Sequence, residues 1–151
     1  MTFQDYLHKT KIIAAQEYGV LEQVHEQLNL HSKLDELQLR ATERSLQIMI
    51  ENLIGKCKKI LQYYDSPIIP LSGYDSAEIL KNVGFFDEEE FIQIRRFFGF
   101  RNAIVHDYMD LERSVVTRII ENRDYKKLEI FLTQEFKDNE LIRKRIQNYV
   151  Y

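Results

Sequence analysis

Apolar residues recur at spacings of three and four along almost the whole 151-residue chain. That period is the mark of amphipathic helices. Phe3, Tyr6, Leu7, Ile13, Val20, Val24 and Leu28 predict a first helix, or a broken pair with Gly19 as its weak point. A turn follows near residues 30–33, where Ser32 and Asp35 read as a capping box with Asp in the place of Glu or Gln. The second helix is the clearest, from about Lys33 to Tyr63. Leu46, Met49, Ile50, Leu53, Cys57, Ile60, Leu61 and Tyr64 form its apolar stripe, with Arg40, Glu43, Arg44, Lys56, Lys58 and Lys59 mostly on the other side. Pro67, Pro70 and Gly73 mark a loop from Asp65 to Tyr74. A short helix runs from about Ser76 to Val83 and stops at Gly84. Asp87 then caps a helix whose first turn holds Glu88, Glu89 and Glu90, where the helix dipole favours negative charge. It continues through Phe91, Ile94, Phe97 and Phe98 toward Arg101. Asp110 can cap a helix to about Glu121, and Asp124 a last one with Leu128, Phe131, Leu132, Phe136, Ile142 and Ile146 as its apolar positions. The pattern predicts an all-α fold, an up-and-down helical bundle forming a single domain over residues 1–151.

Composition agrees: Gly and Pro number 5 and 2, and strand-rich folds spend both freely on tight turns. Cys57 is the one cysteine, so no internal disulfide can form. No apolar run approaches the roughly 20 residues that span a bilayer. Asp5, His8, Lys9 and Lys11 interrupt any signal-peptide core, so no membrane association and a cytoplasmic location are expected. The formal charge of −3 is not that of a nonspecific nucleic-acid binder. An RNA contact must then be brief, or come from a local cluster such as Arg95, Arg96 and Arg101, although Arg95 and Arg96 read equally as a solvated helix face.

Neither His-Glu-x-x-His nor Cys-x-x-Cys occurs, and no metal or cofactor is expected. His8, His25 and His31 lie among Lys, Glu and Gln and read as surface, whereas Cys57 reads as a small core residue. The segment FGFRNAIVHDY, Phe98 to Tyr108, differs. It sets a permanent cation (Arg101), an amide (Asn102), an imidazole (His106), a carboxylate (Asp107) and a phenol (Tyr108) among core residues. Cleavage of RNA by its own 2′-hydroxyl needs a proton acceptor, a proton donor and a cation for the extra phosphate charge. Imidazole exchanges protons near neutral pH, and guanidinium matches phosphate oxygens in a planar fork. On a straight helix Arg101 and His106 point about 140° apart. A bend near Gly99, a long reach by Arg101, or a second subunit could bring them together. One histidine per chain cannot easily be acid and base at once, which favours a homodimer with two His106 side chains at one cleft. A structural salt-bridge network of Arg101, His106 and Asp107 accounts for the same residues, and from the residues alone both readings stand.

Arg-x4-His-x-Tyr, here Arg101, His106 and Tyr108, resembles the motif of HEPN-domain toxins of the HepT type, with Asn102 matching the polar residue that often follows the arginine. RATERSLQIMIEN (Arg40 to Asn52), SGYDSAEIL, VGFFDEEEF and GFRNAIVHDY resemble the family's second helix and middle section in the same order, so the resemblance spans about Leu34 to Leu132. It implies a HEPN-like helical bundle that dimerises to form one metal-independent endoribonuclease site. Arg101 and His106 would then be catalytic, with Asn102 and Tyr108 supporting them or touching substrate. It also implies a cognate minimal nucleotidyltransferase antitoxin that attaches AMP to Tyr108 and silences cleavage, as in a type VII toxin–antitoxin system. A bulky anion at the mouth of an RNA cleft repels phosphate. The alternatives are a noncatalytic subunit that binds a nucleotide or the nucleotidyltransferase, and a purely structural helical adaptor.

Overall fold

The structure, a computed structural model, describes residues 1–70, 72–106 and 113–150, apart from the side chains of Val105 and His106. Among the described residues there are seven helices and no strand, the all-α class that the periodicity predicts. They are α1 (Phe3–His31), α2 (Glu36–Tyr63), α3 (Gly73–Asn82), α4 (Glu88–His106), α5 (Arg113–Asn122), α6 (Tyr125–Thr133) and α7 (Glu140–Gln147). None of them is long and apolar enough to cross a membrane.

Thr2 and Asp5 open α1 with a capping box, each accepting the other's backbone N–H at 3.1 Å. The helix passes through Gly19 unbroken. A Cβ there would meet nothing within 4 Å, so the glycine costs only its propensity, about 1 kcal/mol, within a long helix. Ser32 does not cap α2. It ends α1 in the left-handed conformation, φ 64°, its N–H bonding to the Leu28 carbonyl at 2.8 Å. The capping box of α2 is Asp35 with Gln38, at 2.8 and 2.9 Å, three residues later than the sequence suggests. Ser72 caps α3 at Asp75 N–H, starting it three residues earlier than the pattern predicts. Gly84, at φ +87°, follows the end of α3, and Asp87 is the expected cap of α4, completed to a capping box by Glu90, at 2.7 and 3.0 Å.

Short links make neighbours run in opposite directions. Phe3 at the start of α1 stacks on Tyr63 at the end of α2, with ring centroids 4.6 Å apart. Arg123 just before α6 meets Glu22, and Glu135 just after it meets Lys11, so α6 lies antiparallel to α1. Arg101 near the end of α4 lies beside Glu51 in mid-α2, while Glu90 near its start lines a cavity with Lys56 and Ile60 further along α2, so α4 is antiparallel to α2. α2 is the central element, burying Leu46, Met49, Ile50, Leu53, Cys57, Ile60 and Leu61 against its neighbours. Cys57 is the core residue expected, and burial pushes its thiol up to about 12. His8 and His31 are exposed and His25 is half-buried.

The single last helix predicted from residue 124 is two helices. Asp124 occupies the cap position of α6 but is itself helical and makes no side-chain capping bond. Gln134, at ψ 134°, ends α6. Phe136 keeps its apolar role from the connecting segment, packing on Phe3, Tyr63 and Tyr64 at 5.0–5.7 Å. Asn139 restarts the helix by accepting Ile142 N–H at 3.1 Å, while its own N–H bonds to the buried Tyr64 hydroxyl at 3.1 Å. Periodicity cannot separate a helical apolar position from a loop residue that fills the same core. The expected cap Asp110 lies outside the described residues.

At Gly55 on α2 a close approach requires glycine, since a Cβ would fall 2.0 Å from the Tyr6 hydroxyl of α1. Helix propensity alone says that Gly55→Ala stabilises by about 1 kcal/mol. The crowding instead predicts net destabilisation of about 1–3 kcal/mol, read from urea unfolding. A stabilised variant contradicts the contact.

Lys56 departs from the sequence reading, which places it on the polar side of α2. It is 6% exposed, and its ammonium donates to the carbonyls of Phe131 at 2.8 Å and Gln134 at 3.3 Å, at the end of α6. The long stem lets the charge leave its own helix face and take up the unsatisfied carbonyls of another. Burial pulls the amine down to about 8 from 10.5. Between those values the unfolded chain binds the extra proton, so stability rises with pH. From pH 7.5 to 9.5 Lys56 contributes a gain of about 2 kcal/mol in unfolding free energy, partly offset by the Cys57 thiol, which ionises in this range only in the unfolded chain. Lys56→Met should flatten that slope, and an equal slope in both proteins contradicts it.

Candidate active site

On α4, Phe91, Ile94, Phe97 and Phe98 are buried, and they fix which side of the helix faces the core. Arg101 stands three and four residues beyond Phe98 and Phe97, so it continues that side at the point where the core runs out. Its side chain is 29% exposed. Asn102, one residue on, turns to solvent, and Arg95 and Arg96 are exposed, as a solvated face requires. The helix continues through Gly99 to His106 without interruption.

The Arg101 guanidinium is placed by two neighbours. Its Nη1 donates to Asn102 Oδ1 at 3.3 Å, and its Nη2 lies 3.7 Å from Glu51 Oε1 of α2. The second distance is an ion pair without a hydrogen bond. Glu51 also accepts from Gln47 Nε2 at 3.2 Å, so the carboxylate is held from its own helix one turn back. Arg101 Nε is buried and has no hydrogen-bond partner. A guanidinium carries five N–H donors, and this one makes a single hydrogen bond within the described structure. A buried unsatisfied donor costs about 1–3 kcal/mol. An incoming anion cannot reach the buried Nε, but the part-exposed Nη groups keep donors that a planar anionic acceptor can take.

Of the four predicted site residues, the structure brings Arg101 and Asn102 into contact and puts the His106 backbone on the same helix. The His106 side chain lies outside the described residues, as do Asp107 and Tyr108. Glu51 is the residue that sequence reasoning missed. It lies within RATERSLQIMIEN, one helical turn after Gln47 on the flank of the α2 stripe, and nothing in that spacing points to Arg101. Among the described residues no cluster of three or more His, Cys, Asp or Glu could hold a metal ion.

A family model described as Ribonuclease HepT-like matches residues 9–135. The matched span includes Glu51, Arg101, Asn102, His106 and Tyr108, and it begins in α1, ahead of the Leu34 where the visible resemblance starts. Comparison with curated proteins and with solved structures finds no match.

Proposed function

The chain belongs to the HepT-like ribonuclease family, and on that premise we propose that it is a metal-independent endoribonuclease toxin working through Arg101 and His106. The observation that carries this reading is the Arg101 guanidinium, held part-exposed where α4 leaves the core and making a single hydrogen bond within the described structure. In the proposed reaction, an imidazole takes the proton of the ribose 2′-hydroxyl as that oxygen attacks phosphorus. The bond from phosphorus to the 5′-oxygen breaks, and that oxygen receives a proton from a second imidazole. The products are a 2′,3′-cyclic phosphate and a 5′-hydroxyl. Arg101 binds the nonbridging oxygens and counters the charge that builds on them. Asn102 holds Arg101 from the same helix or donates to phosphate itself. Two copies of the chain supply the two His106 side chains. A minimal nucleotidyltransferase antitoxin, by adding AMP to Tyr108, places a bulky anion at the cleft and silences it.

One observation favours the structural-adaptor alternative: the Arg101–Glu51 contact is an internal ion pair. It is too long for a hydrogen bond and its carboxylate is 42% exposed, so solvent screens it. A pair of this kind contributes at most about 1 kcal/mol, little against binding of a phosphate diester. Glu51 is better read as the group that holds Arg101 in place until phosphate displaces it.

A substrate with a single 2′-deoxy nucleotide tests the chemistry. Once a cleaved position is known in an RNA, removing the 2′-hydroxyl there should abolish cutting at that bond alone. The matching all-ribose product should carry a 2′,3′-cyclic phosphate by mass spectrometry. Cutting of the deoxy substrate at the parent rate contradicts the mechanism.

A further inference from the structure

The α6–α7 break that the periodicity did not foresee borders a cavity of about 520 Å³, which does not include Arg101 or Asn102 in its lining. Leu53, Ile60, Phe85, Phe86, Phe131 and Phe136 give it largely apolar walls. Lys56 also lines it, and Lys56 is 6% exposed.

Lysine is almost never this buried without a counter-ion. The Lys56 ammonium has three N–H donors, and two of them are taken by the Phe131 and Gln134 carbonyls. No carboxylate among the described residues forms an ion pair with it. The two acidic residues that line the same cavity are engaged elsewhere. Glu135 pairs with Lys11 at 2.6 Å, and Glu90 accepts from the Asp87 backbone N–H at the start of α4. The fold thus places one buried positive charge, with one donor to spare, against an apolar space of ligand size, while Lys137, which also lines it, is exposed.

We propose that this cavity binds a small monocarboxylate with an apolar body, its carboxylate paired with the Lys56 ammonium. One charge and one remaining donor suit a carboxylate. A phosphate dianion would bring a second negative charge that these walls and the nearby Glu90 and Glu135 leave uncompensated. The apolar tail lies along the phenylalanines, where its burial adds to the affinity.

The pairing gives the site a pH signature. Lys56 loses its proton near pH 8. The other charged groups facing it are Lys11 of α1, Glu90 of α4, and Glu135 and Lys137 of the α6–α7 connection. The adjacent Cys57 thiol is pushed up to about 12, so it stays neutral throughout.

Isothermal titration of the full chain with decanoate and with decan-1-ol tests the proposal. At pH 7 decanoate should bind about tenfold more tightly than the alcohol, the effect of one charged hydrogen bond. At pH 9.5 decanoate should fall to the level of the alcohol, whose affinity should not move. In Lys56→Met the two ligands should bind alike at both values. The pH comparison uses the parent protein, so it decides the matter even if the variant folds poorly. Absence of decanoate binding, equal affinity for acid and alcohol at pH 7, or an unchanged preference in folded Lys56→Met would each overturn the proposal.

Discussion

Arg101→Ala is expected to lower RNA cleavage by about 10²–10³-fold, the range for removing a group that meets charge developing in a transition state. The loss should lie in catalysis and not in folding. Arg101 contributes one hydrogen bond and one long, screened ion pair to the described structure, while burying a donor that nothing satisfies. Removing it should change the unfolding free energy by no more than about 1 kcal/mol. Arg101→Lys separates charge from shape. An ammonium keeps the charge but cannot present the planar fork, so it should recover only a small part of the activity. Glu51→Gln keeps the volume beside Arg101 and removes the competing charge. RNA should then bind more tightly while turnover falls, because the guanidinium is less firmly placed. An Arg101→Ala protein that cuts at the parent rate contradicts the phosphate role. One that has lost its helical signal supports the structural-network reading.

The second large effect concerns His106, at the last position of α4. His106→Ala should lower cleavage by about 10²–10⁴-fold, the usual contribution of general acid–base catalysis. In a two-chain site each copy would supply one imidazole, so a mixed dimer with one altered chain should lose most of its activity as well. Tyr108→Phe should still cut RNA, with modest loss, and should no longer be silenced by AMP transfer. Persistent silencing of that variant would move the modification to another residue.

The elements most legible in the sequence were those with a long, uninterrupted stripe. The α2 stripe has eight apolar positions at helical spacing, seven within the helix and Tyr64 just past its end, and the structure buries all of them. Gly84 and Asp87 were legible because a positive φ and a capping carboxylate are each tied to a residue type. The Ser32 reading failed because serine suits several end positions, and here it closes α1. The α6–α7 break was hidden because Phe136 fills the core from a loop, as a helical residue would. Lys56 misled for a related reason: its place on the helical wheel says where the stem starts, and the ammonium ends at the carbonyls of another helix. At the candidate site, the local motif sets Arg101 beside Asn102, and the structure joins them by a hydrogen bond. Glu51 was not legible, because its link to Arg101 exists only once α2 and α4 pack.

The most direct test is RNA cleavage by the purified chain in EDTA, beside His106→Ala, on total RNA that includes tRNA. Mass spectrometry must first find Tyr108 unmodified in both proteins. The account predicts cleavage that survives EDTA and disappears in the variant. Equal cleavage by both proteins, or none from an unmodified dimer of the parent, would contradict it.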